Sequence, residues 1–85
     1  MKLKVRFFAS LKERLGQDLL QVDAEFAPAT VAGLRNYLCS QFPDFAKAVE
    51  EGGRLRAAVN HDLAEDDTVL AEQAEVAFFP PVTGG

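Results

Sequence analysis

The sequence predicts a two-layer α+β domain: a mixed sheet of four to five strands, one main helix on one face, and a flexible C-terminal tail. Three observations carry that expectation. Lys2-Leu3-Lys4-Val5-Arg6-Phe7 alternates polar and apolar residues, the period of a strand with one buried face, and Glu75-Val76-Ala77-Phe78-Phe79 near the other end is a second strand-forming run. Between them Val31, Leu34 and Leu38 recur at helical spacing. The chain then finishes on Pro80-Pro81-Val82-Thr83-Gly84-Gly85, where two prolines end regular hydrogen bonding and two glycines carry no side chain.

In the first strand Leu3, Val5 and Phe7 face the core, which places Phe8 on the other side with Lys4 and Arg6. Ser10 and Glu13 have capping-box spacing and Gly16 sits where a helix stops, so Leu11 to Leu15 is expected as one or two helical turns with Leu11 and Leu15 inward. Residues 20–26 alternate again, and their nearness to the first strand suggests an antiparallel neighbour closed by Pro28. Thr30 is the expected N-cap of the main helix, which runs to about Gln41 with Tyr37 beside its apolar stripe. Gly33 weakens that helix by roughly 1 kcal/mol relative to Ala unless it permits a close approach to the sheet.

After Pro43, Phe45, Ala46 and Val49 suggest a short amphipathic turn before Gly52-Gly53 breaks the chain. Residues 54–60 are expected as a strand with Leu55, Ala57 and Val59 inward and Ala58 outward. Asn60-His61-Asp62 is turn chemistry with Leu63 just beyond it, and Glu65 to Thr68 is an acidic loop capping a turn at Val69 and Leu70. In the last strand Val76 and Phe78 face inward, Ala77 and Phe79 outward. Two strands, a helix across one face, then returning strands is the β-grasp order, here a single domain of residues 1–85 with 80–85 as a projecting tail. First and last strands paired at the sheet centre would anchor the tail on both sides.

An 85-residue chain forms one modest core and has no room for an enclosed active-site cavity, so chemistry requires a partner. A net charge of −4 argues against nucleic-acid binding, which needs clustered Lys and Arg, and suggests steering toward basic sites on partners. The lone Cys39 cannot form an internal disulfide, the amino terminus lacks signal-peptide organisation, and no apolar run approaches the roughly 20 residues that span a bilayer. A cytoplasmic protein without membrane contact is expected.

Few residues offer catalytic chemistry. His61 has no nearby Cys or second His with which to build a metal site or triad, and Cys39 reads as a packed side chain. Glu65, Asp66 and Asp67 lack calcium-loop spacing, and Gly52-Gly53 lacks the Lys and Ser or Thr of a phosphate loop, so no metal or bound cofactor is expected. What remains is the Gly85 carboxylate, free of neighbouring side chains and able to enter a narrow channel. Phe8, Ala58 and Phe79 fall on outward strand faces with Leu63 nearby, a docking patch on the side no helix covers. Residues 80–85 extended reach roughly 20 Å, far enough to enter a partner's cleft.

These residues resemble a known family. Lys4-Val5-Arg6-Phe7-Phe8-Ala9, Ala57-Ala58-Val59-Asn60, Asp66-Asp67-Thr68-Val69-Leu70 and above all Glu75 to Gly85 are similar to the small, ubiquitin-like sulfur-carrier subunits of molybdopterin synthase, over essentially the whole chain. The resemblance implies that Gly85 is adenylated by a ubiquitin-activating-like adenylyltransferase using ATP, then converted to a thiocarboxylate with sulfur from a desulfurase or rhodanese-like protein. It implies that Gly84 and Gly85 enter the large subunit, where sulfur passes to cyclic pyranopterin monophosphate, and that two large and two small subunits assemble. Phe8, Leu63 and Phe79 match the family's contact surface, with Ala58, Pro80, Pro81, Val82 and Thr83 as the expected remainder of the partner-binding set. The catalytic side chains would come from the large subunit. Carriers for thiamine or tRNA thiolation and ubiquitin-like protein modifiers share the Gly-Gly end and are the alternatives.

Overall fold

The computed structural model describes residues 1–51 and 55–80. Eight elements follow in order: β1 (Lys2–Phe7), α1 (Ala9–Leu15), β2 (Leu19–Asp23), α2 (Val31–Gln41), α3 (Pro43–Glu51), β3 (Arg56–Val59), β4 (Asp62–Ala64) and β5 (Glu75–Phe79). The strands form one mixed sheet in the order β2-β1-β5-β3-β4. β1 runs parallel to β5 at the centre, the other ladders are antiparallel, and Phe7 lies opposite Phe78. This is the β-grasp arrangement, with β5 hydrogen-bonded on both sides.

Alternation decides which side of the sheet is buried. Leu3, Val5 and Phe7 of β1, Ala57 of β3, and Val76 and Phe78 of β5 join Leu11, Val31, Leu34, Leu38 and Phe45 from the helices in one core. Phe45 sits at its middle, edge-on to Phe78 with ring centroids 5.5 Å apart and tilted against Phe7 at 6.0 Å. Such pairs contribute about 0.5–1.5 kcal/mol beyond the area they bury.

Thr30 caps α2, its hydroxyl oxygen accepting from the Gly33 amide at 3.2 Å. Gly33 is the point of closest approach: an added β-carbon would lie 1.8 Å from the Pro28 carbonyl oxygen. The glycine therefore admits the preceding loop, not the sheet. Phe26 stacks on Tyr37 at 5.8 Å, although β2 ends at Asp23 and not at 26 as expected.

Three local expectations are corrected. α1 begins at Ala9 with Phe8 as its N-cap and no side-chain cap bond, so Ser10 and Glu13 do not form a capping box; the helix stops at Gly16, at φ 70°. The segment after Pro43 is a nine-residue helix that buries Phe45 and Ala48, not a short turn, so the core face carries α3 as well as the main helix α2. Val69 is not in a helical turn: it bridges to Thr30 and is 75% exposed, while Leu70 is buried. Arg54 and the Gly52-Gly53 break lie outside the described residues.

Candidate functional site

The uncovered face of the sheet is where the expected site residues gather. Register alone places Leu63, Ala58, Ala77 and Arg6 in one transverse row, through the pairs Ala58–Leu63, Ala58–Ala77 and Arg6–Ala77. In the next row Arg56 pairs with Phe79. Phe8 completes that row, because its amide donates to the Phe78 carbonyl at 3.2 Å and carries the β1–β5 ladder one residue past the strand. Ala9 then takes a left-handed φ of 54°, turning the chain into α1.

Phe8, Ala58, Ala77 and Phe79 line an open depression with Arg6, His61 and Glu75. Phe8 is 47% exposed and Leu63 69%, while Ala58, Phe79 and Pro80 are half-buried. The structure thus brings Phe8, Ala58 and Phe79 together and sets Leu63 beside them on edge strand β4, where it borders a second depression with Arg35, Arg56, Glu65 and Asp66. Ala77, Arg6, His61 and Glu75 were not among the expected site residues. The signal for them was present in the outward parity of β1 and β5, which places Arg6 and Ala77 beside Phe8 and Phe79.

The depression is apolar at one end and charged at the other. Glu75 Oε2 lies 3.2 Å from Arg6 Nε and 3.8 Å from His61 Nε2, the latter an ion pair only when the imidazole is protonated. The Asn60-His61 turn holds this end in place. Both residues take positive φ, 49° and 75°, as a two-residue hairpin turn requires, and Asn60 is doubly bonded to Glu75, its amide donating at 2.8 Å and its side-chain oxygen accepting at 3.0 Å.

The tail leaves from the opposite end of β5. Pro80 sits in a crevice lined by Ser10, Leu11 and Arg14 of α1, Ala48 of α3, and Leu55. Arg14 donates to Glu51 Oε1 at 2.6 Å across that crevice, tying α1 to α3 and holding the Glu51 carboxyl below the usual carboxylate range. Pro81, Val82, Thr83, Gly84 and Gly85, which carry the expected reactive end, lie outside the described residues.

Among the described residues no group of His, Cys, Asp and Glu side chains could hold a metal ion, and no charged side chain is buried. Cys39 is half-buried on α2, where burial pushes its thiol pKa up and the nearby Arg35 guanidinium opposes the shift. Among the described residues no helix is long and apolar enough to cross a membrane. A mixed β-grasp sheet with an uncovered face and a chain end leaving its central strand is the architecture of the ubiquitin-like proteins.

Comparison narrows that class. The ThiS family model matches residues 5–85, and the chain belongs to this family. It is 47% identical over 83 residues to the molybdopterin synthase sulfur carrier subunit of Escherichia coli strain K12, covering 98% of this chain and 99% of that protein. The Haemophilus influenzae protein of the same name is 39% identical over the same shares of the two chains. Among solved structures, small archaeal modifier protein 1 of Haloferax volcanii superposes with a TM-score of 0.79 at 27% identity, covering 95% of this chain and 98% of that chain.

Proposed function

We propose that the protein is the sulfur-carrying subunit of a molybdopterin synthase, with the Gly85 carboxylate as the group that carries sulfur. The observation that supports this best is where the tail begins. In a chain 47% identical over nearly its full length to such a subunit, Pro80 follows directly from a strand paired on both sides, at the margin of the uncovered apolar face. A rigid body that holds out one chain end needs no catalytic side chain of its own.

The chemistry follows from the carboxylate. A carboxylate is a poor electrophile, so an adenylyltransferase of the ubiquitin-activating type would join the Gly85 oxygen to the α-phosphorus of ATP and release pyrophosphate. The outer sulfur of a persulfide on a desulfurase or rhodanese-like protein would then displace AMP to give an acyl disulfide, and a second thiol would cleave its S–S bond, releasing the thiocarboxylate and leaving a disulfide between the two thiol sulfurs. That group is anionic near neutral pH and nucleophilic at sulfur. Within the large subunit it would attack cyclic pyranopterin monophosphate, Gly84 and Gly85 leaving the approach unhindered. Phe8, Ala58, Leu63 and Phe79 would seat the body on that subunit while residues 80–83 span the distance to its active site. The one cysteine, free and half-buried, fits work in the reducing cytoplasm.

Removing Gly84 and Gly85 tests this reading. The truncated protein is expected to fold and to bind the large subunit through its sheet face, yet to support no conversion of cyclic pyranopterin monophosphate. Full conversion by the truncated protein would refute it. The same chain end would serve a protein modifier, as the likeness to a protein of that name raises, and that reading requires higher-mass conjugates in cell extract that vanish with Gly85.

A further inference from the structure

The uncovered face of the sheet and the chain as a whole carry opposite charge. The formal net charge is −4. Yet the strand positions that register and parity direct outward hold Lys2, Lys4, Arg6 and Arg56 against only Asp23 and Glu75. The other eleven of the thirteen Asp and Glu side chains sit on the helices, the connecting segments and edge strand β4. Charge is therefore segregated, with a cationic sheet face set into an acidic molecule.

The two arginines border the apolar centre and differ in state. Arg6 is paired to Glu75 at 3.2 Å. Arg56 is exposed, with Phe79 opposite it on β5, and the neighbouring depression that it lines with Leu63 also holds Glu65, Asp66 and Arg35; Asp66 is paired to Arg35 at 2.7 Å, and Arg56 itself forms no ion pair among the described residues. An unpaired guanidinium at the edge of an apolar patch is suited to a carboxylate brought up by a partner, whose approach it also steers.

We propose that this face docks a protein surface with an apolar centre for Phe79 and Leu63 and a carboxylate placed against Arg56. The inference rests on the docking role assigned to the face above and adds the chemistry of the occupant. A second copy of the chain fits less well. Sheet-to-sheet contact would set like charges together, and among the described residues Val69 is the only large hydrophobic residue exposed outside this face, so the acidic sides described offer little apolar complement. Nucleic acid fits less well too, because two carboxylates interrupt the cations and Arg6 is already neutralised.

The test is the rate of association with the large synthase subunit, measured as a function of salt for the full-length protein. Arg56→Glu is expected to slow association about tenfold at low ionic strength, with the difference shrinking as salt rises. Glu50→Lys, a charge reversal on α3, is expected to leave it unchanged. Association of Arg56→Glu at the wild-type rate would overturn the inference, as would binding of a single-stranded oligonucleotide, or self-association, that Arg56→Glu abolishes. Phe79→Ala measured in parallel separates the two levels. If it weakens binding while Arg56→Glu associates normally, only the acidic complement is wrong; if it binds as wild type, the docking role of the face is wrong as well.

Discussion

The carbonyl oxygen of Pro28 lies 1.8 Å from the point where a β-carbon on Gly33 would sit. No rotamer change relieves that contact, because the β-carbon's position is fixed by the backbone and its neighbour is a backbone carbonyl. Gly33→Ala would gain roughly 1 kcal/mol of helix propensity and must displace the 27–29 loop or the first turn of α2 to do so. A net loss of about 2 kcal/mol or more is expected in urea unfolding. An alanine variant as stable as wild type would show that the loop relaxes freely.

Phe79 is half-buried on the outer face and Phe78 fully buried on the inner one, so substitutions at neighbouring positions should separate binding from folding. Phe79→Ala is expected to weaken association with the large subunit by about 1–3 kcal/mol, with a smaller loss of stability. Phe78→Ala is expected to cost about 3–5 kcal/mol of stability. Calorimetric titration and denaturant melts on both variants check the pair.

The Arg14–Glu51 bond gives a pH signature. Glu51 is held below its ordinary pKa, first by the Arg14 hydrogen bond and then by that residue's charge. A depressed carboxylate contributes stability above its unfolded-state pKa and loses it as pH falls through the folded value. Wild type is therefore expected to exceed Glu51→Gln by a small margin at about pH 7 and to match it at about pH 2. Both residues are substantially exposed, so added salt is also expected to narrow the margin. Thermal melts across that range, with and without salt, check both statements.

Burial raises the Cys39 pKa and leaves little thiolate at neutral pH. Cys39→Ser is expected to accept sulfur at Gly85 at the wild-type rate. Loss of sulfur loading with folding intact would instead assign Cys39 a relay role.

Much of the fold was legible because its strongest signals are periodic. β1, β5 and α2 each bury a face whose spacing can be read directly, and the outward parity of Phe8, Ala58 and Phe79 followed from it. α3 was missed for a specific reason. The expected turn was placed after Pro43, whereas Pro43 itself begins the helix, a position where proline's fixed φ is favourable and where Asp44 follows in the first turn. The Ser10–Glu13 spacing misled because the helix starts two residues earlier than Leu11, at a left-handed Ala9 that no propensity scale anticipates. The charged end of the depression depends on which strands pair, so Arg6, Glu75 and His61 could be joined only once the sheet order was known.

The central claim is that the body positions one carboxylate and that Gly85 carries the chemistry. The direct measurement is the mass of the C-terminal peptide after incubation with the activating enzyme, ATP and a sulfur source. Replacement of one Gly85 oxygen by sulfur is expected, lost in a sample without ATP. An unchanged C-terminal mass, with an enzyme preparation that loads a known carrier, would contradict it.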